Sequence, residues 1–307
     1  GIPMQQVENA SASGSTAFRN AVIEVASGLC DVSLALGVDK PAAIRLGASQ
    51  NGLDTLERDR VAAFTHFALL AREYCEASGA GPEDFARVSV KNHHNGALNP
   101  FAQRRQPQTL EAVLNAPPIA GFLTPLQCCP VGEGAAAVIV ASGDALTRYG
   151  IDRRRCPRVA ASVMKSERLY PKAASFDADI TEETVVHAYE DCGIGPSDLD
   201  VVELHDAFTV EELLYAERMG LSAPNKAARD LEAGAFDIGG RVAISPSGGL
   251  LSMGHPLGPT GLGQIAEITR QLRGEAGARQ HPGAKTGLAH MVGVGAVCVV
   301  HILSYDN

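Results

Sequence analysis

Ser247-Gly248-Gly249-Leu250-Leu251-Ser252-Met253-Gly254-His255-Pro256-Leu257-Gly258-Pro259-Thr260-Gly261 is a glycine-rich run with one histidine near its centre. Apolar residues at helical spacing follow at once: Leu262, Ile265, Ala266, Ile268 and Leu272. The run therefore reads as a loop that ends at a helix N-terminus. Free backbone N–H groups and the positive end of the helix dipole favour an anion or oxyanion at such a place. The glycines let the backbone approach a ligand closely or take φ > 0. A histidine held there can donate to a developing oxyanion or carry a proton.

Working outward, Val201–Leu204 reads as a short strand that delivers His205-Asp206-Ala207-Phe208, and a helix follows from about Thr209 to Met219. Two strands close the chain, at about 285–290 and 295–303. Val159–Val163 reads as a strand and Thr181–Cys192 as a helix stopped by Gly193. In the first half, Asn9–Ala17 is a small-residue loop, followed by a helical pattern (Phe18, Val22, Ile23, Val25, Ala26) that ends near Gly28. Val32–Val38 and Gly134–Ser142 read as buried strands. Residues 56–78 read as a helix, and Lys91–Pro100 as a polar loop with paired histidines. The pattern is that of an α/β protein.

The halves look like copies. Gly14-Ser15-Thr16-Ala17 opens a helix as Gly258-Pro259-Thr260-Gly261 does, and Gly134–Val140 resembles Gly295–His301. The stretch from loop to strand is 120 residues long in the first half and 37 in the second, an insertion of 83 that contains the 91–100 segment. The expected division is 1–152 and 153–307, with the inserted region at about 40–125. Two related helix N-termini would then face each other and share one site.

Composition narrows the function. The 307 residues suffice for one large α/β domain or two fused ones. A net charge of −9 leaves no basic footprint for nucleic acid, and no polybasic tail points to a membrane surface. No apolar run reaches the length of a membrane span. The seven cysteines are scattered, with no CxxC and no zinc spacing, which reads as reduced cytoplasmic thiols and no metal site. The chain starts Gly-Ile-Pro, without Met, and enters a helix-opening loop almost at once.

The stretches Gly1–Pro3, Ala10–Ala17, Lys91–Pro100, Leu126–Ala137, His205–Phe208, Ser247–Gly261, Arg273–Gln280 and Gly287–Val300 resemble the thiolase superfamily, and most closely its sterol-carrier-protein-2-type branch. The resemblance implies a five-layer αβαβα fold, a homodimer and an acyl-CoA substrate. Coenzyme A would be substrate or product, and no cofactor would be bound covalently. It also implies roughly 80 further residues before Gly1, an expectation by analogy. The inserted region would cover the CoA arm, with Lys91, Arg104 and Arg105 as candidate phosphate contacts. His93, Ser247, Gly248 and Met291 are further candidate substrate contacts.

The chemistry so implied makes or breaks a C–C bond beside a thioester, as an acyltransferase. His255 matches the histidine that supports the nucleophile, His205 the other half of the enolate-binding pair, and Gly293 the glycine whose N–H serves the acyl oxyanion. The departures are pointed. Ser11 stands where the family has its nucleophilic cysteine. Ala207 and Met291 stand where it places a second one. A serine hydroxyl needs a general base and is weaker toward thioesters than a thiolate. His255 is the candidate base; Ser11 as a mere helix cap is the plainer role. Without the second cysteine, His205, His255 or His290 would have to move the α-proton. The alternative is a thiolase-like aldolase, which needs the enolate pair but no acylated nucleophile, working with a zinc-binding OB-fold partner. A non-catalytic acyl-CoA-binding subunit is a third reading.

Overall fold

A computed structural model describes residues 1–40, 61–168, 176–293 and 297–305. In chain order the elements are α1 (Ser13–Ala26), β1 (Val32–Asp39), α2 (Val61–Ser78), α3 (Pro82–Ala97), α4 (Leu110–Leu114), β2 (Gly134–Ala141), α5 (Gly143–Arg148), β3 (Arg158–Ser166), α6 (Phe176–Cys192), β4 (Val201–Glu203), α7 (Thr209–Arg218), α8 (Ala227–Glu232), β5 (Ala243–Ile244), α9 (Gly249–Met253), α10 (Leu257–Arg273), β6 (Thr286–Gly293) and β7 (Val297–Ser304). Strands β1 and β2 form an antiparallel pair, Val32 opposite Ala141 through Asp39 opposite Gly134. The others form a mixed sheet of order β3-β7-β6-β4-β5. The β6–β7 pair is antiparallel, while β4 runs parallel to both β6 and β5.

Helices α1 and α10 lie between the two sheets. Each touches β1 and β2 on one side; on the other, α1 meets β3 and β7 while α10 meets β4, β6 and β7. Their apolar stripes explain the position: Phe18, Ala21, Leu262, Ile265, Ile268 and Leu272 share one core cluster with Ala35 and Leu303. Burying each large aliphatic side chain there contributes about 1.5–3 kcal/mol. Helix α6 covers the other face of the five-stranded sheet, and α7 packs on it. The two central helices cross near their N-terminal ends, where glycine is required. A Cβ at Gly261 would lie 2.7 Å from Ser15 N and closer still to Ser15 Oγ. The two loops expected to face each other therefore do so.

Three expectations need correction. Lys91–Pro100 is not a loop, for Lys91–Ala97 are the last two turns of α3. That helix starts at Pro82, with Asp84 accepting from Gly81 N–H at 2.8 Å. Its polar residues satisfy one another inside the protein, so their polarity did not mean exposure. The Ser247–Gly261 run is also mostly helical: α9 takes up Gly249–Met253, and α10 begins at Leu257 rather than after Gly261. Only the joint Gly254-His255-Pro256 lies between them, fixed by the Leu257 N–H, which donates to Asp39 Oδ2 at 2.8 Å. Finally, Val32–Val38 and Gly134–Ser142 are buried on one face only. Leu34, Leu36, Val38 and Ile139 are 58–68% exposed on the other. Of the expected helix at 56–78, residues 56–60 lie outside the described residues. The boundary at 152/153 falls in a short 3-10 turn capped by Asp152.

Candidate active site

The turn before α1 is held by its own polar groups. Ala10 N–H donates to Glu8 Oε1 at 2.7 Å, Asn9 N–H to Ser13 Oγ at 2.9 Å, and Ser13 Oγ–H to Ala10 O at 2.7 Å. Together they keep Ala10 at φ 49°, a left-handed conformation uncommon for a residue with a side chain. Ser11 follows, 6% exposed. It does not cap α1: the N-cap is Ala12, with no side-chain cap bond. Its Oγ lies 2.9 Å from His255 Nε2 instead.

The hydrogen bonds around His255 select its tautomer. Thr260 Oγ1–H donates to Pro256 O at 2.5 Å, so at 3.0 Å from His255 Nδ1 that oxygen is left to accept. The proton then sits on Nδ1, and Nε2 presents a lone pair to the Ser11 hydroxyl. Burial, with His205 adding, holds the His255 pKa well below its ordinary value, so the ring is neutral at neutral pH. Serine, neutral imidazole and an orienting hydroxyl form the arrangement of an activated nucleophile.

His205 lies beside it, with ring centroids 5.3 Å apart and planes at 85°. Its Nδ1–H donates to Glu211 Oε1 at 2.7 Å, both side chains being 1% exposed. Burial opposes charge on this ring, but the charge and hydrogen bond of Glu211, with Asp177 adding, outweigh it and raise the His205 pKa. Two adjacent histidines are thus pushed in opposite directions, as in sites that need one base and one acid. Glu211 is at the third position of α7, and its other oxygen accepts from Phe208 N–H at 2.8 Å. His205 N–H donates to His290 Nδ1 at 3.4 Å, and His290 Nε2 is 2.9 Å from Thr181 Oγ1.

Gly293, the last residue of β6, comes against the Asn9–Ala12 turn: a Cβ there would lie 3.4 Å from Ala12 Cβ and would collide with Asn9 O. Met291 is fully buried in a small cluster with Ala12, Val297 and Val299. Ala207 O accepts from Cys129 N–H at 2.8 Å. The Cys129 thiol is raised to about 12, chiefly by burial and then by Glu211, so it is not a thiolate at neutral pH.

The remaining candidates turn inward. Lys91 Nζ is 3.0 Å from Glu212 Oε1 and donates to Ile244 O at 2.6 Å, which leaves it no phosphate to meet. Asn92 Nδ2 donates to Asp206 Oδ2 at 2.7 Å and Glu212 Oε2 at 3.0 Å. Asp206 Oδ1 accepts from Leu250 N–H at 2.7 Å and so ties β4's end to α9. Ser247 donates through N–H and Oγ–H to Glu203, at 2.9 and 2.7 Å. Gly248, at φ 103°, abuts Gly96: a Cβ there would lie 2.7 Å from Gly96 Cα. His93 is buried, its Nδ1 2.8 Å from Ser89 O. Arg104 is half-buried and donates to the carbonyls of Cys128 and Leu251; Arg105 is exposed. The structure therefore gathers Ser11, His205, His255, Gly293 and Met291. It assigns Lys91, His93 and Ser247 to the framework behind them, a correction to their reading as substrate contacts.

Glu211 and Thr260 went unnoticed in the sequence. Both had a signal: Glu211 stands where a helix-capping glutamate would, three residues after Phe208, and Thr260 is in the first turn after Gly-His-Pro. A cavity of about 820 Å³ opens beside the joint, lined by Gln103, Gly132, Met253, Gly254, Pro256 and Thr260 among others, a size suited to a small-molecule arm. Among the described residues no group of three or more His, Cys, Asp or Glu side chains is placed to hold a metal ion, and no helix is long and apolar enough to cross a membrane.

Residues 164–305 match the family model described as thiolase C-terminal domain-like. The chain is 36% identical over 299 residues to the benzoylsuccinyl-CoA thiolase subunit BbsB of Thauera aromatica, covering 96% of this chain and 77% of that protein. It is 36% identical over 310 residues to an acetyl-CoA acetyltransferase of Methanothermobacter thermautotrophicus, covering 99% and 80%. Sterol carrier protein 2 of Oryctolagus cuniculus is 38% identical over 323 residues, but the chain spans 58% of that protein's length. Among solved structures, "Ltp2-ChsH2(DUF35) aldolase" superposes with TM-score 0.76 at 24% identity, over 97% of this chain and 79% of that one. Human mitochondrial 3-ketoacyl-CoA thiolase in complex with CoA gives 0.71 at 19% identity, over 98% and 77%. At those identities the structural likeness is one of fold.

Proposed function

This chain belongs to the thiolase family, in its sterol-carrier-protein-2-type branch and with the family's α/β fold; from that premise we propose that it makes or breaks a C–C bond beside a CoA thioester by acyl transfer through Ser11. The observation that carries the reading is the 2.9 Å contact between Ser11 Oγ and a neutral, oriented His255 Nε2. In the cleavage direction Ser11 Oγ attacks the β-carbonyl carbon of a β-ketoacyl-CoA, and its proton passes to His255 Nε2. The Cα–Cβ bond breaks, and its electron pair becomes the enolate of the shorter CoA ester. His205 holds that enolate oxygen, and Gly293 N–H serves the acyl oxyanion. The α-carbon of the enolate takes up one proton, for which the proton left on His255 compensates, and the thiol of a second coenzyme A then takes the acyl group from Ser11, its own proton returning to the serine oxygen. Coenzyme A is thus substrate and product, with no covalently bound cofactor. The reading includes a homodimer in the cytoplasm.

A second reading rests on Ala207 and Met291, which leave no thiol at either place the family uses for one. Retro-aldol cleavage of a β-hydroxyacyl-CoA needs the enolate pair and a base for the hydroxyl, but no acyl-enzyme. The fold neighbour called an aldolase with a DUF35 component supports a partner supplied in trans; the reading takes that partner to be a zinc-binding OB-fold protein, as the family resemblance implies.

The experiment is CoA-dependent cleavage of β-ketoacyl-CoA esters by the wild type, Ser11→Cys and Ser11→Ala, with β-hydroxyacyl-CoA esters alongside. Acyl transfer predicts a Ser11 acyl-enzyme by mass spectrometry, loss of thiolysis in Ser11→Ala and a gain of orders of magnitude in Ser11→Cys. Cleavage of β-hydroxyacyl-CoA without free CoA, undiminished in Ser11→Ala, replaces it with the aldolase. Tight ester binding without turnover of either class, partner present, would mark a binding subunit.

A further inference from the structure

The position of Glu211 gives the site a proton carrier that no cysteine supplies. His205 and Glu211 are each 1% exposed, and the Nδ1-to-Oε1 distance of 2.7 Å is that of a charge-assisted bond. The carboxylate is itself fixed: Phe208 N–H donates to Oε2 at 2.8 Å and Tyr215 Oη–H to Oε1 at 3.2 Å. It can therefore neither swing away from the ring nor reach solvent. The opposite nitrogen, His205 Nε2, is buried and has no hydrogen-bond partner among the described residues. A buried ring nitrogen without a partner is costly and is ordinarily explained by a function or ligand. The ring stands edge-to-face against His255, whose own Nε2 meets Ser11. The thiols nearby are poor substitutes: burial raises both Cys128 and Cys129.

We propose that Glu211 makes His205 the group that moves the α-carbon proton, in place of the absent second cysteine. The inference deepens the family reading but does not need Ser11 to be acylated. As a base, His205 Nε2 takes a proton from the α-carbon of an acyl-CoA. The C–H pair becomes the enolate π bond, the carbonyl pair moves to oxygen, and the imidazolium rests against the Glu211 carboxylate with its new Nε2–H facing the enolate, so that one nitrogen takes the proton first and holds the enolate oxygen afterwards. In cleavage the step runs backward, with Nε2–H broken and Cα–H formed. Glu211 acts through His205 and is a positioning residue.

The groups around the ring set the direction of its titration. Glu211 and Asp177 favour the cation. His290 is buried and His255 half-buried, and both are held neutral, each pushed down by desolvation and by His205. The Tyr215 hydroxyl, with its pKa driven up by burial, stays protonated and serves as a donor to Glu211. His66, half-buried against Asp177, also feels Glu211.

The test is exchange of the α-protons of acetyl-CoA and propionyl-CoA in D2O, followed by mass spectrometry from pH 5 to 9. It is run in the Ser11→Ala background, where no acyl-enzyme can form. The proposal expects exchange whose rate rises through the pKa of His205. Glu211→Gln keeps an oxygen for Phe208 N–H but removes the charge. It is expected to lower the plateau at least tenfold and move the limb to lower pH, within the range general base catalysis supplies. A residue that only shaped the fold would not move the limb. His205→Asn keeps a donor but cannot carry a proton; it is expected to lose exchange at least a hundredfold while still binding the ester. This variant decides the matter if Glu211→Gln does not fold. Unchanged plateau and limb in Glu211→Gln, exchange surviving in His205→Asn, or no exchange in the background protein would each overturn the proposal. Thiolysis by the Ser11 protein, measured separately, decides the acyl-transfer reading.

Discussion

Replacing Thr260 by valine isolates the tautomer argument. The change keeps the shape of the side chain and removes one oxygen. That oxygen accepts from His255 Nδ1–H at 3.0 Å and donates to Pro256 O at 2.5 Å. In Thr260→Val the Nδ1–H of the half-buried ring is left unpaired, at up to about 1–3 kcal/mol. The ring avoids that cost by moving its proton to Nε2, where it donates to Ser11 Oγ. Ser11 then loses its base. If the whole penalty falls on activation, the rate of attack by Ser11 drops about 5- to 150-fold, at 1.36 kcal/mol per factor of ten. The assay is the rate at which a fluorophosphonate modifies Ser11, read by intact mass, with Ser11→Ala as the blank. Thermal melting shows whether the variant is folded. A labelling rate within twofold of wild type in a folded Thr260→Val protein would refute the assignment of His255 as an oriented base.

Three further outcomes follow from the framework. His301 is buried with its nitrogens 3.1 Å from Ser162 Oγ and Ser15 O, and burial lowers its pKa to about 3. Its unfolded value near 6.5 is higher, so the unfolded chain takes up the proton first and stability is lost as pH falls from 6.5 toward 3. Relative to His301→Gln, the wild type should lose about 1.4 kcal/mol per pH unit over that window, measured by urea melts at pH 7, 6 and 5. Gly261→Ala forces a Cβ to 2.7 Å from Ser15 N and should cost about 1–3 kcal/mol, seen as a lower Tm together with slower Ser11 labelling. Lys91→Met leaves Glu212 buried without its cation and should cost about 3–5 kcal/mol in chemical denaturation, while the folded fraction keeps its affinity for a CoA ester.

The strands and the starts of α1 and α7 were legible because apolar runs and glycine stops are local signals. Gly134–Ala141, Thr286–Gly293 and the helix after His205 all lie where the pattern put them. The pairing of Ser11 with His255 spans 244 residues; the likeness of the two halves brought their loops together in advance, and the family resemblance singled out these two side chains. Composition misled where polar residues serve one another. Lys91, Asn92 and Asn95 read as a solvated loop because their partners Glu212, Asp206 and Ser245 are more than a hundred residues away. Glu211 was hidden for a different reason: its sequence signal is that of a capping residue, and one oxygen does accept from Phe208 N–H, while the other meets His205 only six residues away.

The bare side of the β1–β2 pair has a practical consequence. Leu34, Leu36, Val38 and Ile139 form a continuous aliphatic stripe on one face, and each strand has only the other as a ladder partner among the described residues. Such a ribbon is a template for edge-to-edge growth. Purified alone, the chain is expected to scatter light increasingly with concentration, and a lysine at Leu36 should suppress that self-association while leaving Ser11 labelling intact.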